Sequence, residues 1–335
     1  MLKIGSLKLK SNLILSPLAG ISDLPYRLLN REFGCELAFV EMLNVRSISY
    51  KSKKTEEMLT GHPKDRPLGI QLLGCEPRFI LMALEIVQKK YKFDLLDFNA
   101  ACPVRKVVHR GEGASLLKEP KKLQNLLKDL VSNSKVPVTV KIRSGWDQDS
   151  INARDVALIC EDAGIAGLFI HGRTKAQEYR DKVDYEIIRK VKKAIVIPVI
   201  ASGDIFSPFL AKKMFDETGC DAVVFARGAL GNPWIFRQTE KFLKNNKSPQ
   251  RPKISEICDT MTKHLKANIA FYGERNGLIR FRKFFHWYSQ GLSNIRPLRE
   301  KASYAKTKKE MFEIIDECRL RQPVKSGLNL GLLEE

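Results

Sequence analysis

The chain has 335 residues, enough for one α/β domain of about 250 residues and a smaller companion. With 44% hydrophobic and 29% charged residues it reads as globular, which excludes a disordered or fibrous chain. Lys+Arg number 58 against 38 Asp+Glu, a net charge of +20, which favours a polyanionic partner, nucleic acid or an anionic membrane, with a generally lysine-rich proteome as the plainer explanation.

Short apolar, β-branched runs recur along the first part of the chain: 13–18, 37–42, 68–73, 95–99, 138–142, 167–171, 198–201 and 222–226. Each reads as a strand. Helical patterns lie between them, over 78–91 and 121–132; the first places Ile80, Leu81, Leu84 and Val87 on one face. Eight strands, apolar on both faces and alternating with helices, predict a parallel sheet closed into a (β/α)8 TIM barrel over residues 1–245. A doubly wound open sheet is the competitor, but no GxGxxG follows the first strand. Residues 244–252 are polar and carry two prolines. Beyond them only helices are expected, with Ile254, Ile257, Met261, Leu265 and Ile269 on one face, Met311, Phe312, Ile315 and Cys318 on another, and a third helix near 280–291. Residues 246–335 therefore read as a small all-helical domain. It holds 18 Lys+Arg and 10 Asp+Glu, so it is the more basic part per residue.

No apolar run approaches the roughly 18 residues of a membrane span, and Met1–Gly5 opens no secretory signal. The seven cysteines are odd in number, scattered and without a CxxC pair. A zinc site, any other metal centre and a disulfide framework are not expected, and a reducing cytoplasm is.

A barrel of this kind builds its active site at the C-terminal ends of its strands. Those ends carry Ser16-Pro17-Leu18, Glu41, Gln71, Asn99 with Cys102, Lys141 with Arg143, His171 with Arg173, Ser202-Gly203-Asp204, and Arg227-Gly228. The last two groups are glycine-bearing loops whose backbone N–H groups can approach a phosphate. Lys141 suits a flavin, because a fixed cation near the pyrimidine edge stabilises the reduced anion. Gln71 could bond the same ring and His171 its ribityl or phosphate side; a satisfied core histidine is the alternative for His171. Cys102 opens a loop holding Arg105, Lys106, His109 and Arg110, a setting for a reactive thiol that acts as a general acid. In the tail, Arg280, Arg282 and Lys283 interleave with Phe281, Phe284, Phe285, Trp287 and Tyr288, which suits RNA binding or, for the aromatics, an ordinary helix core.

Taken in order, Pro17-Leu18-Ala19-Gly20 with Asp23, Val40-Glu41-Met42, Gln71-Leu72, the run from Asp97 to Pro103, Gly111–Ala114, Val140–Arg143, His171–Thr174, Ala201–Asp204, Ala226–Ala229, and Arg282-Lys283 with Trp287-Tyr288 resemble the bacterial tRNA-dihydrouridine synthases over nearly the whole chain. The resemblance implies FMN, NADPH as reductant, and reduction of the 5,6 double bond of uridines in the tRNA D-loop, with Cys102 as proton donor. It implies FMN contacts from Ser16, Pro17, Leu18, Gln71, Lys141, His171, Ser202, Gly203, Asp204, Arg227 and Gly228. Asn99, Arg143, Arg173, Arg282 and Lys283 would hold the tRNA, and the enzyme would be a cytoplasmic monomer. Two residues depart from the family pattern: Ala101 stands where glycine is common and Phe284 where histidine is common. A flavin barrel acting on a free pyrimidine, as dihydroorotate dehydrogenases do, would leave the basic tail without a use. A non-enzymatic RNA-binding protein would leave the polar strand ends unexplained.

Overall fold

The computed structural model describes residues 1–323; the end of the expected helical domain, 324–335, lies outside them. The described residues form two compact units. The first comprises 1–27, 35–205 and 210–226; the second comprises 28–34, 206–209 and the chain from Arg227 onward. The sequence boundary at 245/246 thus falls inside the second unit.

The strands are β1 (Leu2–Ile4), β2 (Leu7–Leu9), β3 (Leu13–Leu15), β4 (Leu37–Phe39), β5 (Leu43–Asn44), β6 (Leu68–Leu73), β7 (Leu95–Ala100), β8 (Val138–Arg143), β9 (Gly167–His171), β10 (Val199–Ser202) and β11 (Ala222–Phe225). Parallel pairing runs from β3 through β4, β6, β7, β8, β9, β10 and β11 back to β3. This is a closed eight-stranded barrel, and the expected fold is observed. Its strands are buried at almost every position, because helices cover the outside and side chains fill the lumen. The helices are α1 (Leu24–Glu32), α2 (Val45–Ser49), α3 (Lys53–Met58), α4 (Pro77–Lys90), α5 (Arg105–Val108), α6 (Pro120–Asn133), α7 (Ala153–Asp162), α8 (Tyr185–Ala194) and α9 (Pro208–Thr218). Both α4 and α6 start with proline at the first helical position, where its missing N–H costs nothing.

The lumen is graded along its axis. Ile14, Phe39, Leu95, Phe169, Ile200 and Val224 share one apolar cluster. Gly69 makes room for it, since a Cβ there would stand 2.3 Å from the Phe39 ring. The antiparallel hairpin β1–β2 adds Leu2, Ile4 and Leu9 to the same cluster. The sequence pattern showed no element at that point, because three-residue strands are too short to display a period. Two boundaries also move. Strand β3 stops at Leu15, although Ser16 N still donates to Phe225 O at 2.9 Å; Pro17 then has no N–H to continue the ladder. Of the run 37–42 only Leu37–Phe39 is strand, and the short β5 begins after it, at Leu43.

The second unit contains α10 (Ile235–Asn245), α11 (Ile254–Tyr272), α12 (Glu274–Tyr288), α13 (Arg296–Tyr304) and α14 (Lys308–Arg319). Here Phe281, Phe284, Phe285 and Tyr288 are buried, so these aromatics form core. His264 on α11 lies among them, with its ring 4.3 Å from that of Phe284 and its Nδ1 3.1 Å from the Tyr288 hydroxyl. Burial, aided by the Lys283 charge, lowers its pKa to about 3. Phe284, the departure from the family pattern, is thus a packing partner of a neutral histidine.

Candidate active site

Above the apolar cluster the strand ends turn polar. Ser16, Gln71, Asp97, Asn99, Arg143, His171, Arg173 and Ser202 are all buried, and Lys141 is half-buried. Burying so many polar groups is tolerable only where each finds a partner, and most of them bond one another.

On β6 and β7, Gln71 Nε2 donates to Asp97 Oδ2 at 2.7 Å, and Asn99 Nδ2 donates to Gln71 Oε1 at 2.8 Å. Asn99 Oδ1 in turn accepts the backbone N–H groups of Ala101 and Cys102, at 3.0 and 2.9 Å. The loop bearing Cys102 is therefore tied to the barrel wall by an asparagine on the strand before it. The loop closes on itself where Ala114 N donates to Cys102 O at 3.1 Å. Gly113, at φ +61°, is required there: a Cβ would stand 2.8 Å from Cys102 O. Cys102 is half-buried. Burial raises its thiol pKa and the Glu112 charge adds to that, while the Val104 N–H and the Arg143 guanidinium oppose it.

Lys141 Nζ donates to Ser202 Oγ at 3.2 Å, and no carboxylate among the described residues forms an ion pair with it. Burial, reinforced by Arg143, lowers its pKa to about 8 against the attraction of Asp97. It stays mostly charged at neutral pH, with donors to spare. Gly203, at φ +137°, cannot carry a side chain, because a Cβ would lie 2.8 Å from both Val183 methyls and 3.1 Å from the His171 ring. An ammonium with donors to spare, next to a glycine-bearing strand end, fits an acceptor-rich, phosphate-bearing ring system.

Arg143 and Arg173 are more engaged than the sequence suggested. Arg143 Nε donates to Ala101 O at 2.8 Å, and Nη1 donates to Thr174 O and Glu178 O at 2.9 and 2.8 Å; its guanidinium lies 5.6 Å from the exposed Tyr179 ring. Arg173 pairs with Asp204 and bonds Asp181 O, leaving Nη1 buried without a partner. Ser16 is buried at the end of β3, with Pro17 and Leu18 half-buried after it. Arg227 and Gly228 lie in a short 3-10 turn, Arg227–Ala229, in the second unit. There the exposed Arg227 packs on the Phe206 ring at 5.3 Å. Arg282, also in the second unit, donates to Ala305 O at 2.7 Å. With Lys283, His286, Trp287 and Ser303 it lines an open cavity of about 380 Å³.

The sequence reading assigned no site role to Asp97 or Thr139. The signal was present: Asp97 and Asn99 stand two apart in an otherwise apolar strand, so both face the lumen.

A closed parallel barrel with a half-buried lysine and a loop-borne thiol at its mouth is a ligand-binding arrangement on a widely shared fold. Solved structures with the same architecture include histamine dehydrogenase from Rhizobium sp. 4-9, with TM-score 0.56 and 14% identity over 79% of this chain and 50% of that one. They also include an old yellow enzyme homologue from Zymomonas mobilis, with TM-score 0.53 and 15% identity over 76% of this chain and 94% of that one. The chain belongs to the dihydrouridine synthase family, whose model matches residues 14–324. Curated relatives include tRNA-dihydrouridine synthase B of Pasteurella multocida, 36% identical over 87% of both chains. That of Vibrio cholerae is 37% identical over 86% of this chain and 89% of its own.

Proposed function

We infer that this chain is a flavin-dependent oxidoreductase that reduces uridine in tRNA to dihydrouridine, with FMN as the flavin and NADPH as the reductant. The family match supports the reaction. The observation that carries the mechanism is Cys102, whose backbone N–H is held by Asn99 and whose thiol pKa is raised by burial.

Lys141, Gln71, Ser16, Pro17, Leu18 and Ser202 would hold the flavin ring and its side chain, with His171, Gly203 and Asp204 toward the phosphate; Arg227 and Gly228 are assigned to the phosphate on the family resemblance alone. Bound there, the flavin supplies the hydride for one carbon of the uracil 5,6 double bond. Cys102 Sγ holds the proton for the other carbon, where the negative charge develops. Asn99 and Arg143 place that thiol by holding the backbone of Ala101 and Cys102, and the Nη2 group of Arg143 would be the donor to a uracil carbonyl. Arg173, whose charge Asp204 already balances, is assigned to the tRNA on the family resemblance alone. A loop uridine is the suitable target, since an unpaired base leaves its stack at modest cost; we assign the D-loop. Arg282 and Lys283 contribute to holding the tRNA, and the enzyme acts as a cytoplasmic monomer. Among the described residues no helix is long and apolar enough to cross a membrane.

The test is direct: full-length, flavin-loaded protein is incubated with unmodified tRNA transcript and NADPH, and dihydrouridine is mapped by mass spectrometry. D-loop dihydrouridine is expected. A flavin-loaded protein that oxidises NADPH yet leaves the transcript unmodified refutes the reading.

A further inference from the structure

We propose that Asp97 is a positioning residue: by accepting a hydrogen bond from Gln71 it sets the direction of the Gln71 and Asn99 amides, and so holds the Cys102 loop in place. The proposal deepens the function above and rests on Cys102 acting as the proton donor.

Three side chains meet on adjacent strands. Asp97 on β7 is in register with Gln71 on β6 and with Thr139 on β8. Its carboxylate accepts from Gln71 Nε2 and from Thr139 Oγ1, each at 2.7 Å. An ionised carboxylate can only accept. The Gln71 nitrogen must therefore face Asp97, and its oxygen must face the other way, where Asn99 Nδ2 donates at 2.8 Å. Asn99 is left with its oxygen toward the loop, where it takes the N–H groups of Ala101 and Cys102.

The two ends of an amide have nearly the same shape, so packing alone does not choose between its orientations. Without an acceptor-only group at the head of the chain, both amides could turn together. Asn99 would then point its NH2 at two backbone N–H groups in a buried site, losing both bonds and opposing like dipoles. Asp97 thus fixes the relay from its head, as the two loop N–H groups fix it from its tail.

The choice of an acid here is otherwise costly. Asp97 is 2% exposed, and no lysine or arginine among the described residues forms an ion pair with it. Lys141 acts on it only through space, from the position opposite Asn99. Burial pushes its pKa up to about 6, against the bonds from Gln71 and Thr139 and the Lys141 charge. At neutral pH it remains the ionised acceptor the relay needs. Asparagine would fill the same space without the burial cost of a charge, but it would not dictate direction.

Asp97→Asn in the full-length, flavin-loaded enzyme should slow reoxidation of the reduced flavin by tRNA roughly 10- to 100-fold, the scale of losing buried hydrogen bonds. Flavin reduction by NADPH, which does not use Cys102, should change by less than that. In an Asn99→Ala background the same substitution should cost no more than about threefold, because both changes break one chain. A second readout needs neither flavin nor turnover: alkylation of Cys102 in flavin-free protein carrying Cys75→Ser. Asp97→Asn should speed this by roughly fivefold or more, as the loop loosens. Thr139→Val removes a bond to Asp97 but leaves the amide directions, and should leave the alkylation rate near wild type. The proposal falls if Asp97→Asn leaves alkylation unchanged, if Thr139→Val accelerates it equally, or if the effects of Asp97→Asn and Asn99→Ala multiply. Wild-type reoxidation in Cys102→Ala would instead overturn the proton-donor role, while alkylation would still judge the relay.

Discussion

Raising the pH should weaken FMN binding through one group, Lys141. Burial and the Arg143 charge lower its pKa from 10.5 to about 8, and Asp97 only partly offsets them. A ligand that offers acceptors to the ammonium binds the charged form, so affinity must fall as pH rises through about 8. The ceiling follows from the two pKa values. If bound FMN returned the lysine to 10.5, affinity would drop roughly 25-fold between pH 7 and 9.5, and a partial return would give a proportionately smaller drop. Quenching of FMN fluorescence on titration with flavin-free protein, repeated across that range, measures it. Lys141→Met should bind more weakly at pH 7 and show no slope near pH 8. A flat wild-type profile, or the same slope in Lys141→Met, would refute the assignment of Lys141 as the cation that holds the flavin.

Cys102→Ala should keep FMN and its reduction by NADPH, but reoxidation by tRNA should slow by about two orders of magnitude, the usual scale for a lost general acid; stopped-flow absorbance at the flavin band decides this. Cys102→Ser should be similarly slow, because a hydroxyl is a far weaker acid. Gly113→Ala must hold alanine at φ +61° with its Cβ 2.8 Å from Cys102 O. It should lose roughly 1–3 kcal/mol of stability, and an unchanged thermal midpoint would show that the loop relaxes freely. Lys283→Ala should weaken tRNA binding evenly across sequences and reduce the slope of log affinity against log salt by about one; an unaltered slope would mean that Lys283 neutralises no phosphate.

The barrel and the identity of most residues at its mouth were legible in the sequence, for a physical reason. A strand buried on both faces must be apolar along its length, so a lysine, histidine or asparagine at its end stands out, and barrel geometry brings all such ends to one face. The helical tail was equally legible, since its apolar positions recur at the helical period. What tertiary structure decided was who bonds whom. Arg143 and Arg173 look in the sequence like spare cations, yet their guanidiniums are spent on backbone carbonyls and on Asp204, partners 31 or more positions away in most cases. Phe281, Phe284 and Phe285 suit either base stacking or a helix core in the sequence, and the structure makes them core around His264. The hairpin at the N-terminus joins the lumen cluster only because the barrel has an end to close. Asp97 shows the division most clearly. Its lumen-facing position follows from a period of two, but its part in directing Gln71 and Asn99 exists only once β6, β7 and β8 lie in register, because a hydrogen bond has a direction that no spacing along the chain encodes.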